Sequence, residues 1–116
     1  MVLDLEKYDI YIKPGVTDMR KRAESLSFLV RSEMKLNPRS KSIFLFCGRE
    51  KRRIVAIVWD SNGFVEISKK LECGMSFKWP SCDKEALGVK LEDVVEMLKG
   101  GDPWRRFPIY ENDSLI

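Results

Sequence analysis

Four cations fall within the six residues Gly48-Arg49-Glu50-Lys51-Arg52-Arg53. Arginine presents a rigid fork of donors and lysine a compact point charge, and both suit phosphate oxygens. The segment lies between two apolar runs, Ile43–Cys47 (IFLFC) and Ile54–Trp59 (IVAIVW), so the spacing predicts a hairpin loop carrying Arg49, Lys51, Arg52 and Arg53 at its tip. A two-stranded β-ribbon fits the major groove of DNA. Arg20 and Lys21 follow Thr17-Asp18, where the sequence predicts a helix N-terminus whose free N–H groups favour an anion. Lys69 and Lys70 close a third strand, which would return to the end of the sheet bearing the basic loop. These eight residues are the expected phosphate contacts.

Other chemistries fit the residues less well. The chain has no histidine, which removes Cys/His zinc sites, a histidine general base and a Ser-His-Asp triad. Cys47, Cys73 and Cys82 are odd in number and lack CxxC spacing, so they read as reduced thiols and not as a disulfide framework or zinc site. A metal nuclease needs clustered carboxylates. Asp18 and Asp60 read better as a helix-start charge and a turn residue, which leaves Glu72 without company. Glu66 and Lys69 are three apart in a strand and point to opposite faces, so with Asp60 they make no D…ExK pattern. No Gly-rich phosphate loop is present, and no cofactor is expected. Trp59, Phe64, Phe77 and Trp79 could stack on bases. Large aromatics dominate small cores, so the core is the expected place for all four.

Charge is unevenly distributed. Net charge is +3 over 116 residues, but residues 13–53 hold twelve Lys/Arg against Asp18, Glu24, Glu33 and Glu50. A local basic field of this kind attracts polyanions. Length and an apolar share of 44% fit one domain, read as 1–106 with a poorly ordered tail at 107–116. No apolar run suits a membrane span and the N-terminus has no secretory pattern, so a cytoplasmic protein with no membrane association is expected.

The positioning elements follow from periodicity. Tyr8–Lys13 reads as a short strand stopped by Pro14-Gly15. A helix is expected over 17–36, capped by Thr17, with Met19, Ala23, Leu26, Leu29, Val30 and Met34 as its buried stripe and Asn37-Pro38 beyond its end. Ile43–Cys47 and Ile54–Trp59 are apolar enough to be covered on both faces. Asp60-Ser61-Asn62-Gly63 is a hairpin turn, and Phe64–Lys69 alternates as a half-exposed strand. Asp83–Gly88 reads as a polar loop. A short helix over 92–99, with Leu91, Val94, Val95 and Leu98 apolar, closes at Gly100-Gly101. The expected fold is α+β: a single domain whose mainly antiparallel sheet, a three-strand meander plus short strands, packs with one long and one short helix.

Several spaced motifs resemble those of the IS-sixty-six family of insertion-sequence accessory proteins, known as TnpB or the second open reading frame of that element and unrelated to the RNA-guided nuclease of the same name. The resemblance runs from about Tyr11 to about Arg106. Thr17-Asp18-Met19-Arg20-Lys21 is similar to the family's TDMRK signature. Asn37-Pro38 and Ser40 stand at its DP-x-S turn, and Phe44 and Phe46 in its LFVF strand, ahead of the basic tip. Trp59-Asp60 with Gly63-Phe64 matches WD-x-x-GF. Lys69-Lys70-Leu71-Glu72 with Gly74, then Phe77 and Trp79-Pro80, matches K-R-L-E-x-G and F-x-WP. The chain departs at Cys73 and Met75-Ser76, where the family carries arginines around the glycine, at Val55 for a frequent basic residue, and at Glu92 for a capping serine. These departures thin the basic surface around the third strand.

The resemblance implies a role in bacterial DNA transposition beside a separate transposase. Together with the basic clusters it leads to a non-catalytic accessory protein that binds DNA through a hairpin and a helix N-terminus. The alternative is an adaptor that docks on the transposase or another element-encoded protein. A metal-dependent nuclease is a distant third.

Overall fold

The computed structural model describes residues 4–80 and 87–105. Among these residues five strands form one sheet: β1 (Asp9–Ile12), β2 (Ser42–Cys47), β3 (Arg53–Asp60), β4 (Gly63–Lys70) and β5 (Leu87–Val89). Their order is β4-β3-β2-β1-β5. The meander β2-β3-β4 is antiparallel, in agreement with the alternation and turn signals. β5 is antiparallel to β1, but β1 runs parallel to β2, which makes the sheet mixed. The parallel pair requires a crossover, and helix α1 (Ala23–Ser32) supplies it. The fold is thus α+β, as expected.

The two sheet faces carry separate cores. On one face Phe44 and Phe46 of β2 and Val55 and Ile57 of β3 pack against Leu26, Val30 and Met34, with Met19, Ala23 and Leu29 alongside. That is the complete stripe read from the sequence. On the other face Ile43, Leu45, Cys47, Ile54 and Val58 meet Phe77, Trp79 and Val94 and Met97 of helix α2 (Leu91–Leu98). All six residues of β2 are buried, which is why this strand is continuously apolar from Ile43 to Cys47 and not alternating. Each fully buried phenylalanine contributes roughly 1.5–3 kcal/mol relative to exposure.

Three element predictions need correction. The helix expected over 17–36 covers only Ala23–Ser32. At its start, Thr17 caps nothing: its N–H donates to Cys47 O at 2.7 Å, tying the chain to the end of β2. Asp18 then closes a tight turn, accepting from Arg20 N at 2.9 Å through Oδ1 and from Lys21 N at 3.2 Å through its carbonyl. At its end, Met34 N donates to Leu29 O at 3.1 Å, Lys35 takes a left-handed φ of +61°, and Leu36 N reaches back six residues to Val30 O, wrapping the helix terminus. Secondly, Leu87 and Gly88 belong to β5 and not to a polar loop; residues 83–86 lie outside the described residues. Thirdly, α2 buries Val94 and Met97 and leaves Val95 41% exposed, so its apolar face is rotated from the expected one. Its closure is as expected, with Gly100 at φ +100° and Gly101 N on Glu96 O. The tail expected at 107–116 lies outside the described residues.

Candidate nucleic-acid interface

The β2–β3 hairpin ends where Gly48 N donates to Arg53 O at 3.0 Å. Within that loop Lys51 N returns to Gly48 O at 2.9 Å, and Lys51 takes φ +60° to complete the reversal. Met19 lies directly on Gly48: a Cβ there would meet Met19 Cγ at 2.7 Å. The absence of a side chain lets the strap Val16–Arg20 lie against the tip. Strap and tip enclose a groove of about 650 Å³ lined by Val16, Thr17, Asp18, Met19, Arg20, Arg49 and Arg53.

The strap is anchored from below. Trp79 Nε1 donates to the carbonyls of Lys13 (3.1 Å) and Gly15 (2.9 Å), and Gly15 N donates to Pro80 O (3.0 Å). Phe77 N donates to Lys51 O, so the same segment also holds the tip. Trp104 Nε1 in turn donates to Lys78 O at 2.7 Å. Trp79 and Phe77 are buried, as the core reading expected, but Trp79 also fixes the height of the strap. Sequence reasoning missed that role. The available signal was that a buried indole N–H must find an acceptor.

The eight predicted cations do not form one surface. Arg49 and Arg53 line the groove with Arg20. Lys70 stands opposite Arg53 in the β3–β4 ladder and shares its face. Lys21 is exposed beside the groove, one residue from Arg20. Lys51 turns to the other flank and lines a concavity with Phe77, Lys78 and Trp79. Arg52 is bonded through its carbonyl to Leu71 N, and its neighbour in register, Leu71, packs on the α2 face. Lys69 also points to the α2 face, where Nζ donates to Leu98 O at 2.9 Å and satisfies the helix C-terminus. The expectation that Lys69 and Lys70 share a face with the tip therefore holds for Lys70 alone, because adjacent strand residues point apart.

Asp18 is the one carboxylate among the described residues that line the groove. It binds Arg20 through Nε at 3.0 Å and through Nη2 at 2.9 Å. The hydrogen bonds from the Arg20 side chain, then from its backbone, hold the Asp18 carboxyl down at about 2, and Asp18 raises Arg20 reciprocally. Thr17 is buried, and its Oγ1 has no hydrogen-bond partner among the described residues. Cys47, under the tip, has its thiol pushed up to about 11, by burial first, with Lys51 opposing weakly. Trp59 and Phe64 meet edge to face at 5.0 Å, and Arg39 lies 4.8 Å over the Trp59 ring, so that face is already covered. Asp60 stands at the β3–β4 turn, the opposite end of β3 from the groove, and so does not converge with Asp18 or Glu72. Among the described residues no three His, Cys, Asp or Glu side chains come together as a metal site.

This arrangement joins TDMRK, the basic tip and F-x-WP into one structural unit. A family model described as "IS66 Orf2 like protein" matches residues 8–107. The chain belongs to the IS66 Orf2-like family. It is also 34% identical over 96 residues to the uncharacterized protein y4hO of Sinorhizobium fredii (strain NBRC 101917 / NGR234), covering 83% of this chain and 82% of that protein. No solved structure matches. As an IS66 Orf2-like chain, it is an insertion-sequence accessory protein. Among its described residues no helix is long and apolar enough to cross a membrane.

Proposed function

We propose that this accessory protein has no catalytic role and binds duplex DNA by its phosphates. Arg49 and Arg53 reach them from the groove, Arg20 and Lys21 from the strap, and Lys70 from the edge. Lys51, Arg52 and Lys69 add positive potential from the other flank. The observation that carries the reading is the groove itself, in which two separate basic motifs of the sequence become neighbours. Arginine forks on two walls can hold adjacent phosphates, whereas a lone solvated cation holds one weakly. Asp18 opposes a bound phosphate, and its pairing to Arg20 leaves Arg49 and Arg53 as the stronger contacts. Phosphate contacts set position and affinity without sequence information, so the expected binding is salt-dependent and tolerant of sequence.

Fluorescence anisotropy with a labelled random duplex at two salt concentrations tests this. The expected result is binding that weakens with salt and is lost in Arg49→Ala/Arg53→Ala. Absence of binding at low salt would remove the proposal and direct attention to a protein partner, with the transposase first.

A further inference from the structure

β4 is an edge strand eight residues long, and among the described residues nothing pairs with its outer side. The bond from Leu71 N to Arg52 O sets the phase of the β3–β4 ladder. In an antiparallel ladder such pairs alternate, so residues 65, 67 and 69 direct their backbone groups toward β3, while Phe64, Glu66, Ser68 and Lys70 direct theirs outward. Long free edges of this kind are templates for another strand. Lysine commonly blunts them, and Lys69 and Lys70 would do so here were it not for Glu66.

We propose that the outer edge of β4 pairs antiparallel with β4 of a second copy, about a two-fold axis through Ser68, joining two five-stranded sheets into one. That register places Glu66 of each copy opposite Lys70 of the other, both at positions whose backbone groups face outward. Among the described residues neither Glu66 nor Lys70 makes an ion pair within its own chain. Lys70 stands directly across from Arg53, a like charge, which a carboxylate from the second copy offsets. On the other face Ile67, 51% exposed in the single chain, comes to lie against the aliphatic stem of the other Lys69. Registers centred on Glu66 or Ile67 oppose Glu66 to itself or to Ser68 and lose both ion pairs. The axis is perpendicular to the sheet, so both grooves stand on one face. Arg53 of each copy lies about 7 Å from the axis along the strand. The pairing draws Lys70, at the margin of the proposed DNA contacts, into the seam and leaves Arg20, Arg49 and Arg53 to the groove, and it is tested without DNA.

Sedimentation velocity across the micromolar range, with wild type and four variants, decides it. Wild type is expected to dimerise reversibly. Glu66→Lys and Lys70→Glu each face like charges at both seam pairs and should weaken dimerisation at least about tenfold. Mixed one to one, these two variants should re-form a dimer, which also shows that both are folded. The double exchange Glu66→Lys/Lys70→Glu should dimerise like wild type. Ser68→Pro removes an outward N–H while sparing the β3–β4 ladder, and should be monomeric. A wild type that stays monomeric throughout overturns the proposal. So does a dimer that neither Glu66→Lys nor Ser68→Pro weakens.

Discussion

At the scale of single residues, Trp79 has the widest consequence. One indole N–H serves two carbonyls of the strap, so Trp79→Phe leaves both unpaired and opens space beneath them. The expected cost is about 1–3 kcal/mol, and Tm falls by several degrees, measured by thermal unfolding. Asp18 has the clearest pH signature. Its folded value of about 2 lies below the ordinary 3.8, so its contribution to the strap turn is complete above about pH 4. It is lost as pH falls through about 2. An NMR titration should show the Arg20 amide shifting in that window, and Asp18→Asn should abolish the shift. Neither residue's full role could be read from sequence. Trp79 was legible as core, but its acceptors are 64 and 66 residues away in the chain. Asp18 was legible as a helix-start charge, yet its carboxylate closes a turn five residues before the helix, because Thr17 N–H is drawn to Cys47 O.

At the scale of elements, contact between strap and hairpin tip decides whether there is a groove at all. Gly48→Ala drives a methyl into Met19 Cγ, at a cost of about 1–2 kcal/mol. Combined with Met19→Ala the penalty should be smaller than the sum of the two, measured as a double-mutant cycle by denaturant unfolding. Additive effects would mean the two elements do not bear on each other. The meander was plain in the sequence because β2 and β3 are continuous apolar runs and Asn62-Gly63 marks a turn. The stripe on α1 was equally plain, since its periodicity holds from Met19 to Met34 even where the backbone leaves the helix. The helix ends were not, because competition from the end of β2 and the Lys35 reversal are tertiary and backbone effects. β5 was hidden by its three-residue length, too short for any alternation. The eight cations were all visible, but their division between faces depends on ladder register: Lys69 to the α2 terminus, Lys70 beside Arg53.

At the scale of the molecule, a net charge of +3 understates the field presented to a partner. Positive charge is concentrated where the hairpin tip, the strap and the end of β4 meet, while α2 carries Glu92, Asp93 and Glu96. That polarity orients the domain toward a polyanion and away from it on the other side. In the proposed mode of binding, the groove face makes the phosphate contacts. The most direct test is the slope of log K against log salt for wild type, Arg49→Ala/Arg53→Ala and the opposite-flank pair Lys51→Ala/Lys69→Ala. Each lost phosphate contact should lower the slope by about 0.9, so the groove pair should lose roughly two units and the opposite-flank pair much less. Equal losses in both pairs, or an unchanged slope in the groove pair, would contradict the claim.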